Sequence, residues 1–369
     1  MTVSARTSTG RIAILASLGL ILTACAAEGP SAEPSPGAPT DGATGTVTLV
    51  VHNSFPNEEF EVAASAATGY DVRVVSAGDG GELSTQLVLT QAAPIADAFF
   101  GIDNVFAARL IDNDVVEPFS PSQPLPERAE ALASQLLAEG AGEASAFPLV
   151  PIDLGATCIN IDPAWFADNG IPEPVSYEDL AAEEYRGLTV LLDPSTSSTG
   201  ASFLIGTVAK FGEDGFEDYW QQLAANDPRL ENGWSDAYYG QFTQGGDGTF
   251  PAVLSYSSSP AWTLTEDGSE TTTKALLETC STQVEYAGIL KGAANPEGAA
   301  AVIDYLLSRE FQDTIADTMY MYPVDEAAYV PEEWQRFAPL PTAANDLTPA
   351  EIAAGLDGWL RAWSTATGW

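Results

Sequence analysis

Hydrophobic and polar positions follow two different periods along the chain, and these periods predict strands and helices in turn. Short apolar runs rich in β-branched residues indicate strands, whereas apolar residues at every third or fourth position indicate amphipathic helices. Repeated strand–helix units favour an α/β fold with a mostly parallel sheet and helices on its faces. In the first third we expect strands at 47–52, 71–76 and 95–100, helices at 83–91 and 106–111, and an extended pair at 115–116.

The alternation continues towards the C-terminus. Strands are expected at 154–161 and 188–192, and the second of them leads into a hydroxyl-rich loop at 193–200, DPSTSSTG. This loop presents backbone N–H groups and hydroxyls together, but it lacks the pattern of a nucleotide-binding P-loop, so no NTPase is predicted. Helix-start signals stand at Asp162-Pro163, Ser176, Asn295-Pro296 and Thr348-Pro349, with an expected helix break near Ser308.

The N-terminal segment predicts export and lipid attachment. Arg6 and Arg11 precede an apolar run that is too short to span a bilayer and is typical of a signal peptide. Residues 22–25, LTAC, resemble the bacterial lipobox, whose cysteine receives a diacylglycerol; the alternative is a chance cysteine after an ordinary signal peptide. We therefore expect a lipoprotein signal peptide at 1–24, a lipidated Cys25 with a flexible tether at 25–45, and a protein anchored on the extracytoplasmic face of the cell membrane.

Composition makes the chain strongly acidic. Its formal net charge is −39, from 52 acidic and 13 basic residues, and only three residues are lysine. Such a chain repels nucleic acids and anionic lipid surfaces, so we expect no nucleic-acid partner. A cationic ligand is the easier electrostatic match, although most of the acidic surface serves solubility.

Cys158 and Cys280 are the two cysteines that follow the predicted signal and tether. A pair of cysteines in an exported protein suggests a disulfide, and two buried free thiols are the alternative. A zinc site is not expected, because the chain has a single histidine and no CxxC pair.

Two segments combine aromatic rings with hydroxyls. They are GWSDAY at 233–238 and LSYSSSPAW at 254–262. Rings stack on aromatic faces, cations are attracted to the ring quadrupole, and hydroxyls fix the orientation of a ligand. These segments therefore suit a flat, polar, cationic small molecule; the alternative is that the tryptophans belong to the core and the serines form an ordinary loop.

The order of the motifs resembles the thiamine-binding branch of the substrate-binding components of ABC importers. The resemblance spans nearly the whole chain after the tether, and the aromatic and serine-rich segments carry most of its specificity. The matching motifs are NSF at 53–55, GDG at 78–80, GIDN at 101–104, DPSTS at 193–197, GWSDAY at 233–238, LSYSSSPA at 254–261 and MYPV at 321–324.

That resemblance implies a two-lobed α/β fold of the type II periplasmic-binding-protein class, with a two-strand hinge and a ligand cleft between the lobes. Lobe one is expected at 46–153 and 286–369, lobe two at 154–285, and the hinge near 154–158 and 285–290. The implied partners are thiamine or its mono- or diphosphate, and the permease and ATPase subunits of an importer. We expect a monomer that uses no cofactor, holds no metal and is not an enzyme.

Ligand contacts are implied at the positions that match the family motifs. His52 stands where relatives usually carry Tyr, and Tyr320 stands where Trp is common, so stacking is preserved at both. Asp79, Asp103 or Glu285 would supply a counter-charge for a cation. The full set of expected ligand-binding residues is His52, Asp79, Gly80, Asp103, Ser197, Ser198, Trp234, Tyr256, Ser257, Ser258, Ser259, Trp262, Glu285 and Tyr320.

Three other functions fit part of the sequence. Ferric iron prefers adjacent tyrosines, which Tyr238 and Tyr239 offer, and polyamines prefer carboxylates beside aromatic walls. A secreted enzyme of thiamine-precursor chemistry would need a cysteine nucleophile, for which Cys158 is the candidate. Its position in an apolar strand does not favour a reactive thiolate.

Overall fold

The computed structural model of the protein describes residues 45–137 and 145–369. Cys25, the predicted signal peptide and nearly all of the predicted tether lie outside these residues. Within them the chain has the expected α/β class, and none of their helices is both long and apolar enough to cross a bilayer. The strands are β1 (Thr46–Val51), β2 (Asp71–Ser76), β3 (Ala98–Asp103), β4 (Val116–Glu117), β5 (Val150–Ile161), β6 (Thr189–Leu192), β7 (Arg229–Glu231), β8 (Ala252–Tyr256), β9 (Lys274–Ala275), β10 (Ser281–Leu290) and β11 (Tyr322–Pro323).

The helix-start signals in the sequence lie where helices begin. Ser176 and Thr348 form capping boxes, and Asn295 accepts the N–H of Gly298 ahead of a proline in the first turn. The expected break falls at Ser308, which caps a separate short helix. The helices are α1 (Asn57–Thr68), α2 (Gly80–Leu89), α3 (Ala107–Asp112), α4 (Glu127–Ser134), α5 (Pro163–Asn169), α6 (Tyr177–Leu180), α7 (Ser198–Phe211), α8 (Phe216–Ala225), α9 (Trp234–Gln241), α10 (Pro296–Leu306), α11 (Arg309–Gln312), α12 (Ile315–Met319), α13 (Trp334–Phe337) and α14 (Pro349–Thr367).

The sheet is mixed, and the expectation of a mostly parallel sheet is wrong. The strand order is β2-β1-β3-β10-β5-β8-β6-β7, with β4, β9 and β11 pairing at its sides. Among the eleven strands of the described residues, parallel pairs occur only at the two flanks, where β1 pairs with β2 and β3, and β6 pairs with β7 and β8. The long strands β5 and β10 run antiparallel to each other and to their other partners. Parallel pairing follows the strand–helix–strand units, and these two strands stand outside such units.

Helices cover both faces of the first flank of the sheet. Val47, Leu49 and Val51 of β1 point into a core with α1 and α10, whereas the intervening Val50 points into the core on the opposite face. Successive side chains of a strand face opposite sides, so a strand covered on both faces is apolar at nearly every position. Burial on both faces explains why residues 49–51 of β1 are all apolar. Polar side chains that could meet a ligand are therefore expected at the ends of the strands.

A disulfide joins Cys158 of β5 to Cys280, the residue before β10, with their Cα atoms 4.3 Å apart. Both side chains are fully buried. The pair lies beside Thr157 and Ser281, which face each other in the antiparallel register of the two strands. Of the two alternatives for these cysteines, the bonded one is present, and it leaves no thiolate at Cys158 for the nucleophile of an enzyme.

Candidate functional site

A cavity of about 240 Å³ opens where the ends of β1 and β8 meet the starts of α7 and α9. Half of its lining was expected from the sequence: His52, Asp79, Ser198, Trp234, Tyr256, Glu285 and Tyr320. The other half was not: Asn53, Ser54, Phe55, Gly101, Ser235, Tyr239 and Met319.

Aromatic rings form one wall of this cavity. Trp234, the first residue of α9, is 8% exposed and stacks on Tyr238 with ring centroids 5.1 Å apart. Tyr239 meets Trp234 edge-on at 5.3 Å, and its hydroxyl lies 3.4 Å from that of Tyr320. Because consecutive residues of a helix point in different directions, α9 buries Tyr238 behind Trp234 and turns Tyr239 towards the opening.

Hydroxyls behind the wall hold the indole in place. The Trp234 Nε1–H donates to Ser255 Oγ at 2.9 Å, and Ser255 Oγ lies 2.8 Å from Ser259 Oγ. Ser258 donates to the carbonyl of Tyr320 at 2.5 Å. The serine-rich segment therefore fixes Trp234 and Tyr320 from behind, and Ser257, Ser258 and Ser259 do not line the main cavity.

Trp262 lies at an adjacent opening. It is 41% exposed and lines a second space of about 190 Å³, together with Ser259, Trp234, Tyr239 and Tyr320. Its ring meets that of Tyr320 edge-on at 4.4 Å. Tyr320 has a left-handed backbone with φ of 59°, which is uncommon for a residue other than glycine. The two aromatic side chains thus sit side by side at the mouth of the cavity.

The Asp79 carboxylate joins the first turns of three helices. It caps α2 by accepting the Gly80 N–H at 2.6 Å, and it also accepts the N–H groups of Ser198 at 3.3 Å and Trp234 at 3.1 Å. These two are the first residues of α7 and α9, so three partially positive helix ends point at one carboxylate. Burial raises the pKa of Asp79, and the three N–H groups oppose that shift.

Gly80 and Ser197 support this arrangement from outside the cavity. A Cβ at position 80 would collide with the Ser198 side chain, so the close approach of α2 to α7 requires glycine there. Ser197 caps α7 by accepting the Gly200 N–H at 3.4 Å. Both expected residues therefore position Asp79 and Ser198, and neither lines the cavity.

Acidic side chains gather on the sheet beneath the cavity. Glu285 lines the cavity and is 5% exposed, whereas Asp103 is fully buried below it. Burial raises the pKa of Asp103 to about 7 and also raises that of Glu285. The His52 Nε2 lies 3.8 Å from the Glu285 carboxylate, but burial lowers the pKa of His52 and favours the neutral ring.

Asp153, which no local sequence motif marks, faces Glu285 in the register of β5 and β10. Among the described residues, no group of three or more His, Cys, Asp and Glu side chains has a geometry suited to a metal ion. The arrangement combines aromatic faces, hydroxyls and carboxylates, and its lining contains no Lys or Arg.

Comparisons with known proteins agree with this geometry. Residues 93–343 match the family described as bacterial extracellular solute-binding proteins. The thiamine-binding periplasmic protein of Escherichia coli (strain K12) is 26% identical over 326 residues, which are 87% of this chain and 93% of that protein. The protein of the same description from Brucella suis biovar 1 is 26% identical over 340 residues, or 89% and 94% of the two chains.

Solved structures give the fold class. A periplasmic thiamin binding protein superposes with a TM-score of 0.73 at 25% identity, covering 87% of this chain and 96% of that one. The apo ferric ion-binding protein A of Pasteurella haemolytica superposes with a TM-score of 0.63 at 15% identity, over 87% and 97% of the chains, and shares the fold alone. The fold is that of the type II periplasmic binding proteins, as the motifs imply. Since the family match covers more than half of the sequence, this chain belongs to the bacterial extracellular solute-binding proteins.

Proposed function

We propose that the protein captures thiamine, or a thiamine phosphate, outside the cytoplasm and delivers it to the permease of an ABC importer. The observation that carries the proposal is the composition of the cavity. Trp234, Tyr239 and Tyr320 offer ring faces and edges, Asp79 and Glu285 offer negative charge, and no Lys or Arg lines the space. A flat ring with a fixed positive charge is the ligand chemistry that such a lining stabilises.

Thiamine fits these elements. Its thiazolium carries the charge, and its aminopyrimidine is a flat ring with hydrogen-bonding edges. Its polar tail suits the Ser198 hydroxyl, a buried group that has no hydrogen-bond partner within the part of the chain that the structure describes. The relatives named thiamine-binding periplasmic proteins support the same choice, because they align with most of this chain. We also expect two lobes, one at 46–153 with 286–369 and the other at 154–285. Movement of one lobe towards the other would close the cleft on the ligand.

Calorimetric titration with thiamine tests the proposal. Removing one desolvated cation–π contact of about 2 kcal/mol, with a stacking contribution of about 0.5–1.5 kcal/mol, weakens binding roughly 60- to 300-fold. We expect that loss for Trp234→Ala and a smaller one, about tenfold, for Tyr239→Ala. Tyr239 is 47% exposed, so its truncation leaves the core intact.

Tyr329→Ala is the matched control, since Tyr329 is 52% exposed and does not line the cavity. It should bind thiamine as the wild type does. The proposal is wrong if wild-type protein shows no heat of binding at micromolar thiamine, or if Tyr239→Ala and Tyr329→Ala behave alike. Parallel titrations with ferric citrate and spermidine identify the alternative ligands: saturable binding of either, without thiamine binding, would replace the proposal.

We also propose that Cys25 carries the lipid anchor, on the basis of the LTAC segment. Wild-type protein should then sediment with membranes, and Cys25→Ala should be released or left unprocessed. If the variant is processed and sediments as the wild type does, the proposal of a lipid anchor at Cys25 is wrong, and the proposal of thiamine binding is unaffected.

A further inference from the structure

Three carboxyl groups lie side by side across neighbouring strands of the sheet. Glu285 of β10 is the register partner of Asp103 on β3 and also of Asp153 on β5. Asp103 and Asp153 are fully buried, and Glu285 is 5% exposed at the cavity. Like charges directly opposite one another destabilise a sheet, and in a buried setting they do not all ionise together.

Hydrogen bonding indicates which of the three groups holds a proton. Asp103 Oδ1 accepts the backbone N–H groups of Val105 and Phe106, each at 3.1 Å; these donors oppose the effect of burial, which raises the pKa of Asp103 to about 7, so Asp103 is charged above that pH. Neither oxygen of Asp153 has a hydrogen-bond donor among the described residues, although the side chain is fully buried. Asp153 lies directly opposite Glu285 in the antiparallel register of β5 and β10, and a hydrogen bond between two carboxyl groups would require one proton between them.

The surroundings of this pair offer little positive charge. Within residues 45–137 and 145–369, Glu285 forms an ion pair with His52, at 3.8 Å, but burial lowers the pKa of that imidazole and disfavours its charged form. Asp79 of the α2 cap adds negative potential, and the Tyr256 hydroxyl at the end of β8 stays neutral because burial raises its pKa. Burial, followed by the neighbouring Glu285, raises the pKa of Asp153 well above its ordinary value.

We propose that the Asp153–Glu285 pair shares one proton in the ligand-free protein and releases it to solvent when a cationic ligand enters the cavity. In the ligand-free protein, the pair consists of one carboxylic acid and one carboxylate. In the complex with the cation, both groups are carboxylates, and one proton has passed to the buffer. Glu285 meets the ligand, and Asp153 acts through Glu285 as a positioning residue. The inference rests on the proposed cationic ligand.

A pH dependence of affinity follows from this exchange. Below the pKa of the ligand-free pair, the cation must displace a proton, so affinity rises with pH by up to about tenfold per unit. Above that pKa the pair is already charged and the affinity levels off. A cation held only by aromatic faces and ionised carboxylates would show no such rise.

Calorimetry in two buffers with different ionisation enthalpies measures the released protons directly. At a pH where wild-type affinity is still rising, we expect close to one proton released per thiamine bound. Asp153→Asn keeps the volume of the side chain and donates a hydrogen bond to an ionised Glu285, so it should release less than about half a proton and bind with a flatter pH profile. Protons that thiamine itself takes up or releases would be exchanged equally with this variant. The difference between the wild type and the variant therefore reports the carboxyl pair alone.

A matched variant separates the proposal from a structural effect. Asp97→Asn changes a buried aspartate at the opposite end of β3, where it accepts N–H groups from Thr48 at 2.9 Å and Asn295 at 2.7 Å, and it should release protons as the wild type does. Thiamine binding without proton release, or equal release by wild type and Asp153→Asn, would overturn the inference and leave the ligand standing; absence of thiamine binding would overturn the proposed function itself.

Discussion

At the scale of single residues, Asp103 links the stability of the fold to pH. Its pKa is near its ordinary value of 3.8 in the unfolded chain and about 7 in the folded protein, because burial penalises the charge. The folded protein therefore binds a proton more tightly than the unfolded chain. The contribution of Asp103 is most favourable below about pH 4 and is lost as the pH rises to about 7, by up to about 4 kcal/mol.

Asp103→Asn tests this effect. The amide oxygen still accepts the N–H groups of Val105 and Phe106, but the buried charge is gone. We expect the variant to be more stable than the wild type at pH 8, by one to a few kcal/mol, and about equally stable near pH 4. Urea unfolding at both pH values measures the difference in unfolding free energy between the variant and the wild type. An equal gain in unfolding free energy at pH 4 and pH 8 would contradict the titration of Asp103.

Residue identity was predictable where a side chain belongs to a distinctive local motif. Trp234 and Tyr256 were expected at the site because they stand in aromatic and serine-rich segments, and both line the cavity. The sequence suggests Tyr239 only as an iron ligand, because it does not show which ring of a helical pair turns outward. Asp153 was missed, since its partner Glu285 is defined by strand register, which local pattern does not reveal.

At the scale of elements, the disulfide ties β5 to the segment that precedes β10. Its cysteines are 122 residues apart in sequence, so the bond removes a large part of the conformational freedom of the unfolded chain. We expect the Cys158→Ala, Cys280→Ala double variant to lose about 2–5 kcal/mol of unfolding free energy. Urea denaturation measures the loss.

Reducing agent is the matched control for this variant. It should destabilise the wild type by a similar amount and leave the double variant unchanged. If reductant has no effect on the midpoint of the wild type while the double variant is destabilised, packing around the cysteines, rather than the bond, accounts for the change.

Helix starts were the elements most accurately predicted, because a cap is a local arrangement of three or four residues. Thr348 and Glu351 form the expected capping box of α14. Strand direction was predicted less well. The pairing of β5 with β10 joins segments more than a hundred residues apart, and nothing in either segment alone specifies an antiparallel partner. The sheet is consequently more antiparallel than its strand–helix pattern suggests.

At the scale of the whole molecule, net charge governs how ligands arrive. The chain carries a formal charge of −39, so it attracts cations over distances that salt shortens. Raising the ionic strength from about 10 mM to about 200 mM should slow thiamine association several-fold, because the Debye length falls from about 30 Å to below about 10 Å. Stopped-flow tryptophan fluorescence measures the rate.

The dissociation rate should change much less, since contacts inside the cavity are poorly screened. A neutral, reduced form of thiamine serves as the control, because its association should not depend on salt. Equal salt dependence for the charged and neutral forms would show that the surface charge does not steer the ligand.

The bond between Cys158 and Cys280 also changes the covalent topology of the chain. Everything between the two cysteines forms a closed ring, and the rest of the protein forms two tails, one attached at Cys158 and the other at Cys280. A single peptide-bond cut inside the ring opens it without dividing the molecule, whereas a cut in either tail releases a fragment at once. On a non-reducing gel the two kinds of nick look different, so limited proteolysis sorts every accessible loop by whether it belongs to the ring or to a tail.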